Sequence, residues 1–326
     1  MSRIFITGSS GFIGSTTAQL LLERGHEVTG MDNMNDYYDV RLKEYRLNKL
    51  REHDGFRFIA GDIENRDELE NVFAGAGFDA VINLAARAGV RYSIENPHVY
   101  MTTNAVGTLN LLEQMRSFGV KKMVLASSSS LYANHPGPFS EKLTVDTPIS
   151  PYAATKKAAE AIAYSYHYLF GFDIAVLRYF TVYGPAGRPD MSVFRFIKWI
   201  DEGSPIELNG DGSQARDFTY VDDIAEGTIK ALDSTGYEVF NLGGGKNPFS
   251  LNYMISKIEE YLGKKALIHY NDFHKADVRE TWADISKAKS VLKWVPKVPF
   301  DEGLKRTVDW YLENKSWLKG ITLPQS

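Results

Sequence analysis

The chain has 326 residues, of which 44% are hydrophobic and 24% charged, and its formal net charge is −4. This balance is typical of a globular protein and lacks the excess of basic residues that nucleic-acid binding needs, so no nucleic-acid partner is expected. The absence of cysteine excludes disulfides and thiolate chemistry, and the seven histidines show no spacing typical of metal ligands, so no metal is expected.

A nucleotide-binding βαβ unit is predicted for the first 32 residues, which read MSRIFITGSSGFIGSTTAQLLLERGHEVTGMD. A short apolar strand leads into a glycine-punctuated turn, an amphipathic helix and a second apolar strand. Gly8, Gly11 and Gly14 fall where the backbone must turn sharply, approach a pyrophosphate and let the helix pack on the strand. The N-terminus of that helix then faces the phosphates. Glycines alone also occur in ordinary tight turns, but the strand, the helix and the acid that follows favour a dinucleotide site.

That acid is Asp32, which stands at the predicted end of the second strand, roughly 20 residues after the last glycine. A carboxylate at this place accepts hydrogen bonds from a ribose diol and repels a 2′-phosphate. The sequence therefore predicts NAD as the cofactor rather than NADP.

Strands and helices are predicted to alternate through the first half of the chain. Apolar runs lie at 3–7, 27–31, 57–60, 80–84, 122–127 and 174–178. Helical patterns lie near 13–24, 65–73, 104–118 and 151–170. This alternation predicts an α/β fold with a doubly wound parallel sheet of the Rossmann type.

A further expectation concerns the connection after the second strand. The segment 33–54, NMNDYYDVRLKEYRLNKLREHD, is longer than the usual connection and predicts an inserted surface helix.

No apolar stretch approaches the roughly 20 residues that span a bilayer, and the first strand begins by Arg3 without room for a signal peptide. A cytoplasmic location without a membrane partner is therefore expected.

A smaller second lobe is predicted after residue 180, where the alternation gives way to segments rich in glycine and proline. The segment 218–232, FTYVDDIAEGTIKAL, is expected to return to the main body. We therefore predict an NAD-binding Rossmann domain over 1–180 that 215–243 rejoins, and a C-terminal substrate-binding lobe over 181–214 and 244–326.

A helix with catalytic potential is predicted from SPYAATKKAAEAIAYSYHYLFG, where Ser150 suits the N-cap and Gly171 the C-terminal stop. Tyr152 and Lys156 are four residues apart and share one face of this helix. A nearby ammonium favours the phenolate and lowers the pKa of the phenol, which predicts that Tyr152 acts as a base near neutral pH. The alternative is an ordinary surface pair on an amphipathic helix.

Four serines, Ser127 to Ser130, follow the buried-type run KKMVLA. They are predicted to lie at the carboxyl edge of the sheet, where ligands of such folds bind. A hydroxyl there is placed to bridge a substrate and Tyr152. The alternative is a turn whose hydroxyls are satisfied within the protein.

Taken together, TGSSGFIGS, SSSSLY and YAATK resemble the extended short-chain dehydrogenase/reductase family, and best its NAD-dependent nucleotide-sugar epimerases and dehydratases. The resemblance runs nearly end to end and includes LAARAGVRYSIENP, GDGSQARDFTYVDDI and ADISKAKSVL. Dehydratases of the family carry Asp-Glu where this chain has Ser129 and Ser130, which disfavours elimination. The segments DNMNDYYDV and FTVYGPAGRPDM resemble UDP-glucuronate 4-epimerases in particular. These oxidise a UDP-sugar at C4 with tightly bound NAD and reduce the 4-keto sugar on its other face.

The resemblance implies a role for each of three sets of residues. The catalytic set is Ser128, Tyr152 and Lys156. The cofactor set is Gly8, Gly11, Phe12, Ile13, Gly14, Asp32, Asn33, Asp62, Ile63, Leu84, Ala85, Ala86, Asn104, Tyr152, Lys156 and Tyr179. The substrate set is Arg87, Gly89, Arg91, Ser128, Ser129, Ser130, Thr181, Arg188 and Arg216.

Within the substrate set, the resemblance assigns Thr181 and Arg188 to the carboxylate of a hexuronate, for which the planar guanidinium fork is well suited. The same two residues would restrain the β-keto acid intermediate from losing carbon dioxide. Arg87, Arg91 and Arg216 are expected near the sugar and the diphosphate. The alternative for Arg188 is a solvated loop arginine.

Other activities stay open at this point. A UDP-glucose 4-epimerase and a UDP-glucuronate decarboxylase are the nearest alternatives, and a scaffold that senses NAD without turning over a nucleotide sugar is the non-enzymatic one. The resemblance also implies a homodimer in which the helices at 104–118 and 151–170 form a four-helix bundle.

Overall fold

The computed structural model describes residues 1–133, 135–246, 248–273 and 278–323. Its strands are β1 (Arg3–Thr7), β2 (Glu27–Asp32), β3 (Phe56–Ala60), β4 (Ala80–Asn83), β5 (Lys122–Ser128), β6 (Asp173–Tyr179), β7 (Thr181–Tyr183), β8 (Pro205–Asn209), β9 (Ala215–Arg216), β10 (Phe218–Tyr220), β11 (Tyr237–Leu242), β12 (Phe249–Ser250) and β13 (Leu267–Asn271).

The α-helices are α1 (Phe12–Glu23), α2 (Val40–Leu50), α3 (Arg66–Phe73), α4 (Val90–Glu95), α5 (Pro97–Tyr100), α6 (Gly107–Phe118), α7 (Pro151–Phe170), α8 (Ser192–Glu202), α9 (Val221–Lys230), α10 (Leu251–Leu262), α11 (Ser286–Val291), α12 (Phe300–Glu313) and α13 (Lys315–Leu318). A π-helical stretch, Met101–Val106, joins α5 to α6, and short 3₁₀ turns cover Ser129–Tyr132 and Ala231–Asp233.

A seven-stranded sheet in the order β11-β6-β5-β4-β1-β2-β3 forms the centre of the molecule, and all its neighbouring strands are parallel. Six of these strands begin and end within a residue or so of the predicted apolar runs. The seventh, β11, lies in the segment expected to rejoin the main body. The predicted Rossmann-type sheet is confirmed. Because the strand order reverses between β1 and β4, the carboxyl ends of these strands diverge and open a crevice.

Helices cover both faces of the sheet, as the alternation of apolar side chains along the strands requires. Ile4 and Ile6 of β1 belong to one buried cluster, to which α1 and α9 also contribute. Phe5 points to the other face and belongs to a cluster with side chains of α6 and α7. The sheet thereby holds the ends of its strands in a fixed relation to both helical layers.

A third buried cluster is built mainly from residues beyond β7, including side chains of α8, α10 and α12. Tyr38 and Leu42 also belong to it, so the inserted segment joins this core. The predicted inserted helix is confirmed as α2, which exposes Arg41, Glu44 and Lys49 on its outer face. Its other face is buried and carries Leu42, Lys43, Arg46, Leu47 and Leu50. The predicted division into two domains stays a prediction.

Among the described residues, no helix combines the length and the apolar character needed to cross a membrane.

Candidate active site

A cavity of about 520 Å³ lies at the carboxyl ends of the central strands. Its wall includes Gly8 after β1, Asp32 at the end of β2, Ala85 after β4, Ser128 at the end of β5 and Tyr179 at the end of β6. Every residue of the three predicted sets lines this cavity except Asn104 and Arg91. The structure therefore brings residues from most of the chain to one site.

The glycine-rich loop is shaped so tightly that side chains are excluded from it. A Cβ on Gly14 would lie 2.1 Å from the carbonyl oxygen of Gly8, and one on Gly8 would lie 2.7 Å from the nitrogen of Ala85. Gly8 also has a φ of +70°, which favours glycine. The helix α1 begins at Phe12, and the N–H groups of its first turn have no acceptors within the helix. The loop thus fits the pyrophosphate of a dinucleotide such as NAD.

Asp32 is buried and already held by the backbone. Its Oδ2 accepts a hydrogen bond from the nitrogen of Ser10 at 3.1 Å, and its Oδ1 accepts one from the nitrogen of Met34 at 2.9 Å. The Nζ of Lys43 lies 3.5 Å from Oδ1, and Lys43 also lines the cavity. The carboxylate thus has a fixed orientation at the end of β2, where a ribose diol would meet it. Lys43 was not predicted, although it lies on the inserted helix.

Asp62 continues the cofactor side of the cavity. Its Oδ2 accepts a hydrogen bond from Nδ2 of Asn33 at 2.6 Å, and its Oδ1 accepts one from the nitrogen of Glu64 at 3.0 Å. The ends of β2 and β3 are linked in this way, so the residues expected along the adenosine half of NAD form one continuous wall.

The helix α7 begins and ends where its caps predict. The Oγ of Ser150 accepts a hydrogen bond from the nitrogen of Ala153 at 3.2 Å, and Gly171 follows the last turn with a φ of +64°. Tyr152 and Lys156 therefore lie one turn apart on this helix, and both line the cavity. The Nζ of Lys156 donates a hydrogen bond to the carbonyl of Ala126 in β5 at 3.0 Å.

The pKa values of this pair differ from the sequence expectation. Burial raises the pKa of the Tyr152 phenol, while its hydrogen bond with Ser128 and the positive charge of Arg188 lower it. Burial lowers the pKa of Lys156 to about 8, and the nearby carboxylate of Glu160 opposes that shift. The expectation of a lowered pKa for the phenol is wrong, because burial outweighs both the hydrogen bond with Ser128 and the charge of Arg188.

A buried ion pair lies behind the catalytic residues. Glu160, one turn beyond Lys156, accepts hydrogen bonds from Arg178 to both carboxylate oxygens, at 2.9 and 2.7 Å. The Oγ of Ser127 donates to the same carboxylate at 2.6 Å. Two of the four predicted serines therefore have different surroundings. Ser127 joins β5 to α7, whereas Ser128 faces the phenol of Tyr152.

Arg188 is oriented by a carboxylate and by an aromatic ring. Its Nε and Nη2 donate to the two carboxylate oxygens of Asp190, at 3.0 and 2.5 Å. Its guanidinium carbon lies 5.9 Å from the centre of the Tyr37 ring. Tyr37 belongs to the inserted segment, and its hydroxyl occupies the space that a Cβ on Gly89 would need, 2.8 Å away. The insertion, the loop after β4 and the loop after β7 therefore meet at Tyr37.

Asn104, predicted as a cofactor contact, lies behind the cavity wall. It stands in the π-helical stretch, where its Oδ1 accepts from the nitrogen of Arg87 at 2.9 Å. Its Nδ2 donates to the carbonyl of Arg87 and to Oγ1 of Thr155, both at 3.0 Å. Asn104 therefore fixes the loop that carries Arg87 against α7.

Arg91, predicted near the sugar or the diphosphate, also lies outside the cavity wall. Its guanidinium lies beside the side-chain amide of Asn209, whose oxygen accepts a hydrogen bond from Nη1 at 3.1 Å when the amide is turned to face it. Arg216 in β9 and Thr181 in β7 do line the cavity, as predicted. The role of Arg91 stays a prediction.

Several residues of the site were missed by the sequence reasoning. Tyr37, Tyr38 and Lys43 of the insertion line the cavity, and so does Thr281 from the C-terminal part. The signal for Tyr37 and Tyr38 was the aromatic DYYD motif, which is unusual in a surface connection. Lys43 lies beyond that motif and had no such signal. Asp190 could also have been predicted, because it is an acidic residue only two positions after Arg188, a predicted binding cation.

The comparisons with known proteins agree with this geometry. The family model described as GDP-mannose 4,6 dehydratase matches residues 5–307. The chain belongs to this family. The resemblance to the extended short-chain dehydrogenases/reductases is thereby confirmed.

Relatives within the family cover almost the whole chain. A protein from Thermodesulfobacterium geofontis named UDP-glucuronate 4-epimerase is 59% identical over 321 residues, which are 98% of this chain and 99% of the relative. The crystal structure of UDP-glucuronic acid 4-epimerase from Bacillus cereus in complex with UDP-glucuronic acid and NAD is 38% identical. It has a TM-score of 0.91 and covers 96% of this chain and 99% of that chain.

A neutral-sugar enzyme of the family is also similar. UDP-glucose 4-epimerase from Thermotoga maritima with UDP-glucose is 33% identical, with a TM-score of 0.88 over 96% of this chain and 99% of that chain. The shared architecture confirms the predicted fold class, and the difference between the two kinds of enzyme must lie in the side chains of the site.

Proposed function

We propose that the chain is a UDP-glucuronate 4-epimerase, which interconverts UDP-glucuronate and UDP-galacturonate through a 4-keto intermediate with tightly bound NAD. One observation carries the substrate class: Arg188, with its guanidinium plane fixed by Asp190, lines the same cavity as Tyr152. In a hexuronate the carboxylate is attached to C5, next to the reacting C4. A cation beside the catalytic hydroxyl is therefore well placed to bind that carboxylate. The relative from Thermodesulfobacterium geofontis supports the same activity.

Proton transfer is assigned to Tyr152. The phenolate form of Tyr152 takes the proton of the sugar 4-hydroxyl when C4 is oxidised, and the phenol that this forms returns the proton when C4 is reduced. Ser128, hydrogen-bonded with the phenol, holds the same sugar oxygen in place. NAD, when bound, supplies the acceptor and then the donor of the C4 hydride. The residues placed to hold it are the glycine-rich loop, Asp32 and Lys156.

The role of Arg188 and Thr181 is to restrain the carboxylate. A 4-keto hexuronate is a β-keto acid, and it loses carbon dioxide when the bond to its carboxylate aligns with the carbonyl π-system. The guanidinium of Arg188, fixed by Asp190, and the hydroxyl of Thr181 both face the cavity. Together they hold the carboxylate group out of that alignment. Ser129, Ser130 and Gly89 complete the sugar pocket in this proposal.

The diphosphate of the substrate is assigned to cations on both sides of the cavity. Arg87 comes from the loop after β4, and Arg216 comes from the short strand β9. Guanidinium groups suit phosphates because they offer paired donors in one plane. Arg91 is assigned to the same end of the substrate, next to Asn209.

A homodimer is the form that we propose for the active protein. Large apolar side chains are exposed along the π-helical stretch, α6 and α7. They include Met101, Leu109, Tyr164, Tyr168 and Leu169, of which Tyr168 is 77% exposed. Pairing these helices with those of a second copy would make the proposed four-helix bundle. Light scattering tests it, because Tyr168→Asp should give a monomer if these side chains meet across the interface.

The two-lobe division and the cytoplasmic location belong to the same proposal. The cavity is lined both by residues assigned to the NAD-binding domain, such as Asp32, and by Arg188 and Thr281 of the substrate-binding lobe. Such a placement suits a reaction in which one lobe holds the cofactor and the other presents the sugar.

The experiment that tests the function is incubation of the purified protein with UDP-glucuronate, without added NAD, followed by chromatography with mass detection. A product of unchanged mass that co-elutes with UDP-galacturonate supports the proposal and the retention of the cofactor. A lighter UDP-pentose would identify a decarboxylase. No product from UDP-glucuronate, but turnover of UDP-glucose, would identify a neutral-sugar epimerase. Binding of NAD without turnover of either sugar would favour the sensor.

A further inference from the structure

Arg46 is a buried cation that bridges two loops of the site. It lies on the buried face of α2 and is only 4% exposed. Its Nη1 donates to the carbonyl of Ser10 at 3.2 Å and to the hydroxyl of Tyr38 at 2.8 Å. Its Nε and Nη2 donate to the carbonyl of Ala186 at 3.0 and 2.6 Å, and Nη2 also donates to that of Gly187 at 3.3 Å. Its acceptors are thus carbonyls and one phenol.

The two loops bind different ligands in the proposed function. Ser10 belongs to the glycine-rich loop, which fits the cofactor pyrophosphate. Ala186 and Gly187 precede Arg188, which is assigned to the substrate carboxylate. The guanidinium of Arg46 also lies over the ring of Phe12, at 5.9 Å, and over that of Tyr38, at 5.6 Å. One side chain from the inserted segment therefore contacts both halves of the site.

The loop before Arg188 has an unfavourable conformation where Arg46 contacts it. Ala186 has a φ of +54°, in the left-handed region that a residue with a Cβ rarely adopts. The carbonyl of that residue accepts two of the five hydrogen bonds that Arg46 donates. Charge-assisted hydrogen bonds of this kind are strong enough to offset the local cost of the backbone.

We propose that Arg46 is a positioning residue that couples the cofactor loop to the carboxylate-binding loop. It holds Ala186 in the left-handed conformation and thereby sets the place of Arg188 relative to the glycine-rich loop. The inference rests on the proposed function for the identity of the substrate, but the link between the two loops does not depend on it. An arginine is needed because its planar fork reaches acceptors in two directions, whereas an ammonium is a single point charge.

The charge of Arg46 also acts on the cofactor side. No carboxylate pairs with Arg46 in the described part of the chain, so a guanidinium is buried with only dipoles around it. Burial of an unpaired charge is costly, and an anionic pyrophosphate held by the glycine-rich loop that carries Ser10 would reduce that cost. Retention of NAD should therefore depend on Arg46 although the side chain does not line the cavity.

The test compares Arg46→Met, Arg46→Lys and the double variant Arg46→Met/Ala186→Gly with the wild-type protein. Arg51→Met is the matched control, because Arg51 is an exposed arginine just after α2 that stacks on Phe58, 5.5 Å from the ring centre. Three quantities are measured: NAD released per chain on denaturation, hydrogen exchange of the peptide that spans 182–190, and the KM for UDP-glucuronate with NAD added.

In Arg46→Met we expect several-fold less retained NAD, faster exchange in the 182–190 peptide, and a KM for UDP-glucuronate about tenfold higher, as for loss of one charge-assisted hydrogen bond. Arg46→Lys should change all three in the same direction but less. The double variant should recover the slow exchange and most of the KM, because glycine adopts a positive φ without the guanidinium. It should not recover NAD retention, which depends on the charge. Arg51→Met should match the wild type.

The inference is overturned if Arg46→Met loses only thermal stability and keeps NAD, exchange and KM at the values of Arg51→Met. It is also overturned if Ala186→Gly restores nothing. Should Arg46→Met not fold, Arg46→Lys decides, since values equal to those of the wild type would show that the two-directional fork is not needed. If the wild type fails to turn over UDP-glucuronate, the proposed function is wrong, and NAD retention and exchange alone still decide the role of Arg46.

Discussion

Arg188 and Asp190 form a two-point ion pair inside the cavity wall, with Nε–Oδ1 and Nη2–Oδ2 distances of 3.0 and 2.5 Å. The pair has two opposing effects on a substrate carboxylate. It fixes the plane of the guanidinium, which helps orientation, and it offsets part of the positive charge, which weakens attraction. The two effects predict different changes in kcat and KM.

Asp190→Asn should separate them. Without the carboxylate, Arg188 attracts the hexuronate more strongly but holds it in a less defined orientation. We expect a KM for UDP-glucuronate that is no higher than that of the wild type, a kcat about fivefold lower, and detectable carbon dioxide. Steady-state kinetics with a mass measurement of products tests this, with the exposed Asp233→Asn as control. A higher KM at unchanged kcat would contradict the orienting role.

Arg188→Ala should remove the preference for the uronate. Loss of a charge-assisted contact is expected to lower kcat/KM for UDP-glucuronate by about tenfold to a hundredfold and to leave UDP-glucose nearly unchanged. Part of the loss comes from the unpaired Asp190, which then repels the substrate. The double variant Arg188→Ala/Asp190→Asn measures that part. If the ratio of kcat/KM for the two sugars stays at its wild-type value, Arg188 does not determine specificity.

The parts of the site that depend on local chemistry could be predicted from the sequence. The glycine pattern identified the phosphate loop, because each position needs the absence of a Cβ whatever surrounds it. Ser150 and Gly171 set the ends of α7 by capping its own backbone. The place of Asp32 followed from the length of a βαβ unit. None of these features depends on distant residues.

The parts that depend on distant contacts could not be predicted. The pattern of LKEYRLNKLRE predicted a helix with a charged face but not which cations leave the solvent: Lys43 is buried against Asp32, and Arg46 is buried against carbonyls of two loops. The spacing of Tyr152 and Lys156 gave the right helix face but not the partners, because Lys156 bonds to Ala126 in a neighbouring strand. Such partners are set by the tertiary fold.

Tyr152→Phe should abolish most of the turnover and leave the cofactor site intact. Removal of a positioned proton acceptor typically costs about 10²-fold to 10⁴-fold in kcat. The ring of Tyr152 packs edge-on against Tyr100, with 6.0 Å between ring centres, and phenylalanine keeps that contact. Retained NAD, measured after denaturation, should therefore equal that of the wild type. A kcat within a factor of about three of the wild type would show that another group moves the proton.

The alkaline limit of activity should depend on Lys156 and Glu160. The pKa of Lys156 is about 8, so its ammonium is lost as pH rises through that value. If the ammonium is needed, activity falls there. Glu160→Gln removes the carboxylate that raises this pKa, so the fall should move to lower pH. Arg178→Met is the comparison, because it breaks the same ion pair and keeps the carboxylate. An alkaline limb that stays in place in Glu160→Gln would assign it to another group.

The buried carboxylate of Asp217 should make stability depend on pH in the direction opposite to that of a salt-bridged acid. It is 2% exposed and accepts hydrogen bonds from the nitrogens of Ala283 and Gly245, at 2.8 and 3.3 Å. A Cβ on Gly244 would lie 2.2 Å from its Oδ1, so the glycines make room for it. Burial outweighs these backbone donors and raises the pKa of Asp217 from 3.8 to about 6.

Because this pKa is higher in the folded state than in the unfolded state, the folded protein holds the proton more tightly. The contribution to stability is fully present below the unfolded pKa and is lost as pH rises through about 6. Asp217→Asn removes this titration, because an asparagine side chain does not ionise. The free energy of unfolding of the wild type, relative to that of this variant, should therefore fall by about 2 kcal/mol between about pH 4 and about pH 7. Urea unfolding of both proteins at several pH values measures the difference. A constant difference would mean that Asp217 titrates alike in both states, and that the glycine loop and Ala283 together compensate fully for the burial of its charge.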